Sequence, residues 1–400
     1  MARIRDGVVR TELKRSELLS KVTGAEVYLK HEQTQFTGSF KERGARNELL
    51  SLNEEQKAAG VMAASAGNHA LALAWHGVQL GIPVTVFMPT VAPLAKVQRC
   101  RSFGVNVVIH GCNIGESKAF AESEPAYHRL RYINGYDDPE IIAGAGTMGL
   151  EIIEQLPKVD YVLVPTGGVG LLAGVSLAVK TLKPSATVIG VEPDACPSYS
   201  AALAAGKPVL TTTMSTLADG LAVPTVGPHA FQVARAFCDD NVSVSEKELA
   251  LAMLHLLENE KVVVEGGGAA ALASILPGGP CHTRVQGKTV VVPLCGGNVD
   301  ITTLGRVIDR GLSADDRLVR FTVEGKIASA GASVKDVFHE RAWLHTAVDR
   351  VHIKVVMETV DSEHAARVRK TIEDSGLPLI QWQRHFFYEV SGMDGPTREV

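Results

Sequence analysis

The sequence predicts an α/β protein with two parallel-sheet subdomains and a small α+β domain at its C-terminal end. Short apolar runs alternate with helical patterns, in two successive sets, up to about residue 310. This alternation is typical of parallel strands joined by right-handed crossover helices. From Leu318 the pattern changes to long alternating strands with a single helix, which indicates a separate small domain.

The predicted elements follow the chain in this order. The first set comprises strands over 26–30, 61–64, 84–88 and 105–109 and helices over 68–76, after Pro93 and over 116–127. The second set begins at 147–154 and comprises strands over 161–164, 187–191 and 289–293 and helices over 171–180, 246–259 and 269–276. We then expect a helix to about 310, a linker over 311–317, strands over 318–324, 333–343 and 348–359, a helix over 362–376 and a strand near 377–382.

Composition argues against several classes of protein. With 46% hydrophobic and 21% charged residues, the 400-residue chain can bury a large core, and its net charge of −4 predicts no binding to nucleic acid or an anionic membrane. Its six cysteines include no C-x-x-C pair, which predicts reduced thiols in the cytoplasm and no zinc site. The start lacks a signal-peptide pattern. The uncharged run over 161–179 contains Pro165 and four glycines, and so predicts a strand, a turn and a helix rather than a membrane span.

The segment over 37–44, TGSFKERG, contains the residue best suited to covalent chemistry. Ser39 and Glu42 have the spacing of a capping box, which predicts a helix start at Phe40 with Lys41 in the first turn. The helix dipole disfavours a positive charge there, so Lys41 should lose its proton more easily than a solvated lysine. Only the neutral amine forms a Schiff base, although a surface lysine is the ordinary alternative.

Glycine-rich turns and strand ends supply candidate ligand sites. Free N–H groups at a helix start suit a carboxylate or phosphate in the segments 65–69 (SAGNH) and 167–171 (GGVGL). The segment 265–268 (EGGG) is either another such cradle or a place of tight backbone packing. Cys295 follows the predicted strand 289–293, at the carboxyl end where parallel sheets bind ligands, but it also fits a buried inert cysteine.

The GGVGL turn has two functional interpretations. Gly168, Gly170 and Ala173 fit a dinucleotide fingerprint, and Glu192 ends the next predicted strand about where a ribose-binding acid belongs. The alternative is a cradle for a single phosphate group, in which the glycines direct several N–H groups at one anion. Spacing alone leaves both open.

Seven segments together resemble the pyridoxal-phosphate enzymes of fold type II, the tryptophan synthase β-like fold. The likeness is greatest to the threonine dehydratase and serine racemase group and covers roughly residues 8–310. The segments are SFKERGA over 39–45, ASAGNH over 64–69, DDP over 137–139, GT over 146–147, GGVGL over 167–171, LADG over 217–220 and CGGN over 295–298. Several independent motifs in the family order make chance a poor explanation.

The resemblance implies pyridoxal 5'-phosphate as the cofactor and a small amino acid as the substrate. Lys41 would hold the cofactor as a Schiff base, with Phe40 packed near the pyridine ring. Asn68 would hydrogen-bond the ring oxygen, and Cys295 would face the pyridine nitrogen. The phosphate would be held by Gly167, Gly168, Val169, Gly170 and Leu171, and the substrate carboxylate by Ser65, Ala66, Gly67, Asn68 and His69.

The implied reaction is β-elimination from a hydroxy amino acid. The freed amine of Lys41 would remove the α-proton as general base. A near-neutral partner such as Cys295 should leave the ring nitrogen unprotonated, which favours elimination. Racemases of this group place a serine at the position of Ala66, and alanine has no proton to give, so we expect little racemisation.

The chain departs from the family pattern at two places in the catalytic region. Val169 interrupts what is often an unbroken glycine loop, although its backbone N–H can still serve. The Mg2+-type site that many relatives build after the strand ending in Glu192 looks incomplete, because Cys196 and Ser198 stand where acceptor oxygens are expected. We therefore expect no metal requirement and a structural role for Glu192.

The predicted domains are a catalytic domain over 1–310, with a small subdomain over about 45–145, and an ACT-like domain over 318–400. The segment 325–332 is too short and too rich in Gly and Ala for the usual first helix of an ACT-like domain. The apolar sheet face that such a helix would cover should pack on a neighbour, which favours a homodimer or homotetramer.

The sequence thus predicts a cytoplasmic ammonia-lyase acting on L-threonine and, secondarily, on L-serine. Within the family, a serine racemase or a 3-hydroxyaspartate ammonia-lyase is the alternative. From other classes, the chain could be a nicotinamide-dependent dehydrogenase or a catalytically idle amino-acid sensor. A visible absorption band abolished by borohydride would exclude the dehydrogenase, and ammonia release would exclude the sensor.

Overall fold

The computed structural model describes residues 1–324, 333–340, 352–374 and 379–383, and the chain divides into two compact units, Met1–Leu304 and Gly305–Val400. The strands of the first unit are β1 Leu13–Arg15, β2 Glu26–Lys30, β3 Val61–Ala64, β4 Val84–Met88, β5 Asn106–Ile109, β6 Arg131–Tyr132, β7 Tyr161–Pro165, β8 Thr187–Pro193, β9 Asp240–Val244 and β10 Thr289–Pro293. Its α-helices are α1 Glu17–Thr23, α2 Lys41–Ser51, α3 Glu54–Ala59, α4 Asn68–Gln79, α5 Leu94–Ser102, α6 Ile114–Ser123, α7 Pro139–Gln155, α8 Gly170–Leu182, α9 Ser198–Ala205, α10 Pro228–Phe237, α11 Glu246–His255 and α12 Gly266–Ala273.

Two sheets organise the first unit and confirm the predicted α/β class. The larger sheet has the order β1-β2-β10-β7-β8-β9, and within it only β1 pairs antiparallel. The smaller sheet has the order β5-β4-β3-β6 and is parallel throughout. Strands β4 and β10 are buried along their whole length, as expected for parallel strands with both faces covered by helices. Each sheet has its own buried apolar cluster.

The predicted strands of both sets are present, and the strands that were not predicted are short or polar. Strands β1 and β6 span three and two residues, too few for a period-2 pattern to be visible. Strand β9 has the sequence DNVSV, in which Asp and Asn disfavour a strand assignment. The uncharged run over 161–179 forms β7 and the start of α8. Among the helices the structure describes, none has the length and apolarity to cross a membrane.

A buried network of charges joins β2, α2 and α7. The Arg43 guanidinium donates to both oxygens of Glu32 at 2.8 and 2.7 Å, and to both oxygens of Glu151 at 2.7 and 2.8 Å. Lys30 donates to Glu151 at 2.6 Å, and Thr147 also accepts from Arg43. All five residues are buried. Burial alone would raise the pKa of Glu32, but the paired guanidinium outweighs this and holds that pKa below its ordinary value.

After residue 314, the described residues of the second unit form a four-stranded antiparallel sheet and one helix. The strands are β11 Leu318–Glu324, β12 Ser333–Glu340, β13 His352–Glu358 and β14 Leu379–Gln383, in the order β12-β13-β11-β14, and the helix is α14 Ser362–Asp374. Val355, Met357 and Val368 contribute to its small buried cluster. Helix α13, Ile301–Ala314, covers residues 311–314, where a linker was predicted. The predicted shortening of the first helix concerns 325–332, which lies outside the described residues.

Replacing Arg43 tests the buried charge network. We expect Arg43→Met to lower the free energy of unfolding by about 3–5 kcal/mol, because it leaves the Glu32 carboxylate buried without its partner. Urea unfolding of the full chain, followed by circular dichroism, measures this change. The matched control is Arg10→Met, which removes an exposed ion pair with Glu154 and should cost less than about 1 kcal/mol. Equal shifts for the two variants would contradict the expectation.

Candidate active site

The site forms where the start of α2 meets the segment that follows β10. Ser39 and Gly296 form an isolated antiparallel β-bridge. The backbone N–H of Phe40 donates to the carbonyl of Cys295 at 3.0 Å. Strand β10 lies between β2 and β7 in the sheet. These contacts bring Lys41 beside Cys295, as the sequence interpretation requires.

The predicted capping box at the start of α2 is wrong. The helix begins at Lys41, and its N-cap is Phe40, which makes no side-chain cap. The Ser39 hydroxyl is buried without a hydrogen-bond partner, because the β-bridge holds its backbone in another direction. Glu42 instead accepts from the backbone N–H of Thr37 and lies 3.1 Å from the buried ring of His76.

The amine of Lys41 is enclosed by protein. Its Nζ donates to the carbonyl of Gly135 at 2.5 Å and lies 5.1 Å from the centre of the Phe40 ring. Burial lowers the pKa of Lys41 to about 8, although Cys295 and Glu265 partly oppose this shift. The lowered pKa agrees in direction with the sequence expectation, and its largest cause is desolvation. A substantial fraction of Lys41 is therefore neutral near physiological pH.

The GGVGL turn between β7 and α8 is a backbone cradle. A Cβ atom on Gly168 would lie 2.3 Å from the ring of Tyr136, and one on Gly170 would lie 2.1 Å from the carbonyl oxygen of Tyr136. Gly170 begins α8, whose N-cap Val169 provides no side-chain cap. The N–H groups of the first turn are thus left for an anion. A Cβ atom on Gly167 would likewise lie 2.8 Å from the Cα atom of Leu221.

Val169 adopts a left-handed backbone conformation, with φ of +76°. For a β-branched residue this conformation is unfavourable by about 1–2 kcal/mol. Its side chain is buried in the core of the larger sheet, which offsets the strain. Strain of this kind concentrates at functional sites. The departure noted in the sequence therefore leaves the loop conformation intact.

The SAGNH turn places polar groups at the start of α4. Gly67 donates to the hydroxyl of Ser65 at 3.2 Å, and a Cβ atom on Gly67 would meet nothing within 4 Å. Ala66 is half-buried beside the core of the smaller sheet. Asn68 donates to Glu265 at 2.6 Å. The open space at Gly67 is compatible with the close approach of a ligand.

His69 and Cys295 are both held in their neutral forms. Burial, and secondarily the charge of Lys41, lower the pKa of His69 to about 3. Its Nε2 lies 3.2 Å from the carbonyl of Ile133, while its buried Nδ1 has no partner. Burial raises the pKa of Cys295 well above its ordinary value, so that residue is a thiol.

One pocket is lined by residues from helices α2, α4, α7 and α8 and from the loop that precedes α7. Predicted site residues that line it are Phe40, Lys41, His69, Gly170 and Leu171. The sequence interpretation missed the other lining residues, which are Gly44, Gly135, Tyr136, Ile141 and Ala145. Nothing in the sequence near Tyr136 other than the adjacent DDP motif marked this position, because its role depends on contact with the distant glycine turn. Asn68 and Cys295 connect to the site through hydrogen bonds described above.

The EGGG segment packs its backbone tightly against neighbouring loops. A Cβ atom on Gly266 would lie 2.2 Å from the carbonyl oxygen of Leu217. One on Gly268 would lie 2.6 Å from the carbonyl oxygen of Gly296. These glycines let α12 approach the neighbouring loops closely. Glu265, which precedes them, is the functionally interesting residue of the segment.

The carboxylate of Glu192 is occupied by protein donors. It accepts from the backbone N–H groups of Tyr199 and Ser200, at 2.9 and 3.1 Å, and from the Asn241 amide at 2.7 Å. The Ser200 hydroxyl also donates to it. This arrangement holds the start of α9 and engages both oxygens of a fully buried carboxylate, which argues against a role in binding a ribose. The expectation of little activation by Mg2+ stays a prediction.

Comparison with known proteins places this geometry in context. Residues 4–296 match the family model described as pyridoxal-phosphate dependent enzyme. An L-threonine ammonia-lyase of Thermotoga maritima is 40% identical over 94% of this chain and 96% of that protein. The processed threonine deaminase isoform 2 of Solanum lycopersicum superposes with a TM-score of 0.73 at 33% identity, over 77% of this chain and 89% of that chain. The serine racemase of Dictyostelium discoideum superposes with a TM-score of 0.70 at 32% identity, over 75% of this chain and 96% of that chain.

Replacing Gly170 tests the cradle. A Cβ atom there meets backbone, so we expect Gly170→Ala to displace the first turn of α8 and to destabilise the protein by about 1–3 kcal/mol. Thermal unfolding and the affinity for pyridoxal phosphate measure the two effects. The matched control is Gly305→Ala, an exposed helical position where a Cβ atom meets nothing within 4 Å. It should stabilise by about 0.5–1 kcal/mol. A Gly170→Ala protein that binds pyridoxal phosphate normally would refute the cradle.

Proposed function

This chain belongs to the family of pyridoxal-phosphate dependent enzymes, and we propose that it is an ammonia-lyase that converts L-threonine to 2-oxobutanoate and ammonia. L-Serine, giving pyruvate and ammonia, is the proposed second substrate. The observation that carries the proposal is the enclosed Lys41 amine, with a pKa of about 8, beside the neutral Cys295 thiol. The names of the relatives support the choice of threonine.

The residues present fit the cofactor. The backbone cradle that begins α8 suits a phosphate group, because its side-chain-free positions direct N–H groups outward. Lys41 can form the covalent link, and Phe40 lies close enough to pack on a ring beside it. When bound, pyridoxal phosphate supplies an electron-withdrawing ring that makes the α-proton of an amino acid acidic.

Proton transfer, substrate binding and control of the ring nitrogen are assigned to groups of the protein. The neutral amine of Lys41 removes the α-proton, and its lowered pKa keeps it available as a base near neutral pH. The SAGNH turn holds the substrate carboxylate through its N–H groups and the start of α4. Cys295 contributes no negative charge and so leaves the ring nitrogen without a strong proton partner, which favours loss of the β-hydroxyl.

A substrate panel tests the choice of reaction. Formation of 2-oxo acids from L-threonine, L-serine and 3-hydroxyaspartate, measured with lactate dehydrogenase or a hydrazine reagent, ranks the candidates directly. We expect threonine to be turned over with the largest kcat/KM. A preference for 3-hydroxyaspartate, or no 2-oxo acid from any of the three, would overturn the proposal.

Lys41→Ala tests the cofactor link. We expect the variant to lose both the visible absorption band and turnover, whereas Lys57→Ala, at a partly exposed position on α3, keeps both. In the native protein, the rate at which cofactor-free enzyme recovers the band should rise with pH around a midpoint of about 8, because only the neutral amine reacts. A midpoint near 10 would contradict the assigned environment of Lys41.

The residue at 66 should decide between elimination and racemisation. We expect the native protein to form little D-serine, because Ala66 cannot donate a proton. Ala66→Ser should raise D-serine formation by about a hundredfold, the low end of what a positioned acid or base contributes. Chiral chromatography measures both enantiomers. Ala64→Ser, two residues earlier on β3, is the control and should leave racemisation unchanged. D-Serine formed by the native protein as fast as pyruvate would contradict this assignment.

The second unit is proposed to be an ACT-like domain that serves assembly as a homodimer or homotetramer. The described residues support this assignment, because they include four antiparallel strands in the order β12-β13-β11-β14 and helix α14. The protein is further proposed to act in the cytoplasm, since all six of its cysteines are free thiols.

Saturation curves test whether that domain regulates. With the full chain, we expect the threonine concentration at half-maximal rate to change by less than about twofold when isoleucine or valine is added, far below the usual range of allosteric coupling. Initial rates of 2-oxobutanoate formation provide the measurement, and analytical ultracentrifugation at the same concentrations reports assembly. A marked shift with either amino acid would show an intact regulatory site.

A further inference from the structure

Four polar side chains near the site form a hydrogen-bonded chain with a defined direction. Arg99 donates to Oδ1 of Asn298 at 2.8 Å, and Nδ2 of Asn298 donates to Oδ1 of Asn68 at 2.7 Å. Nδ2 of Asn68 in turn donates to Oε1 of Glu265 at 2.6 Å. An arginine can only donate, so Asn298 must present its oxygen to Arg99 and its NH2 group to Asn68.

Further contacts confirm this direction. Nδ2 of Asn298 also donates to the backbone carbonyl of Thr37 at 2.7 Å, and a carbonyl can only accept. The backbone N–H of Asn298 bonds the Glu265 carboxylate as well. Neither amide can therefore flip without losing hydrogen bonds at both ends. The orientation of the Asn68 amide follows from its partners.

This orientation leaves one donor free. The oxygen of Asn68 is taken by Asn298 and one of its two amide hydrogens by Glu265. Within the described part of the chain, the second hydrogen has no acceptor. We propose that Glu265 is a positioning residue, which holds the Asn68 amide so that its remaining N–H is left for the ring oxygen of bound pyridoxal phosphate. The inference rests on the proposed function, in which Asn68 contacts the cofactor.

The glycine at 296 makes room for this pair. A Cβ atom at Gly296 would lie 2.2 Å from Oε1 of Glu265 and 3.0 Å from Nδ2 of Asn68. The nearest of these atoms is the end of a flexible side chain. An alanine at 296 would therefore move the carboxylate away from Asn68 instead of preventing folding. A substitution at Gly296 thus disturbs the hydrogen bond between Glu265 and Asn68 without changing either residue.

The charge of Glu265 also acts on Lys41. Burial, with Asp219 adding to it, raises the pKa of Glu265 to about 7, against the opposing effects of Asn68 and Lys96. The charge of Glu265 partly opposes the lowering of the Lys41 pKa that burial causes.

A double-mutant cycle on cofactor affinity tests the positioning role. The holoenzyme and its variants are titrated with pyridoxal phosphate after removal of the cofactor, and the visible band reports binding. We expect Glu265→Ala to weaken the apparent affinity about tenfold, the loss typical for a hydrogen bond to a charged group. In an Asn68→Ala background the same change should matter less than about twofold, because the two residues act as one unit. Equal losses in both backgrounds would overturn the inference.

Two further variants separate positioning from general destabilisation. Gly296→Ala should reproduce the loss of affinity seen for Glu265→Ala, because it displaces the same carboxylate. Glu192→Gln is the matched control, since it alters another buried carboxylate that accepts from an asparagine. It should change the melting temperature but not the affinity. If Gly296→Ala binds the cofactor normally, or if Glu192→Gln weakens it as much as Glu265→Ala does, the positioning role is refuted.

The failure of the proposed function is distinguishable from that of the positioning role. A native protein that shows no visible band with pyridoxal phosphate and releases no 2-oxo acid would refute the proposed function instead.

Discussion

The packing around the candidate site depends on the buried guanidinium of Arg43. Lys41 lies two residues before Arg43 in helix α2. The guanidinium holds Glu32 after β2 and Glu151 on α7 with four hydrogen bonds. Removing one member of such a network leaves an uncompensated charge in a medium of low polarity. Hydrogen bonds to Glu32 and to Glu151 therefore fix the first turn of α2 against β2 and α7.

Glycine positions, which carry no side chain, shape the site as much as the larger residues do. At Gly168 and Gly170 the space of a Cβ atom is filled by Tyr136, and at Gly296 it is filled by Glu265 and Asn68. Close packing of backbone against ring or carboxylate leaves N–H groups at the helix start directed outward. At Gly266 the same close packing brings α12 against the backbone of Leu217.

Burial sets the protonation of the groups around the site. It lowers the pKa of Lys41 to about 8 and that of His69 to about 3, and it raises that of Glu265 to about 7. Lys41 therefore loses its proton more easily than a solvated lysine and lies near the neutral His69 and Cys295. The Glu265 carboxylate partly opposes the lowering of the Lys41 pKa. That combination suits a base which must be charged at one stage and neutral at another.

The sequence by itself determined the class of fold and the longer, more apolar strands of the two parallel sheets. These features are encoded locally, because periodicity and turn chemistry depend on neighbouring residues. It did not determine the cap of α2, where Ser39 was expected to bond the helix but pairs with Gly296 instead. Nor did it reveal Glu265 as the partner of Asn68, 197 residues away in the chain. Only tertiary structure decides such contacts, because hydrogen bonds between distant segments depend on how the sheets and helices pack and leave no periodic trace in the sequence.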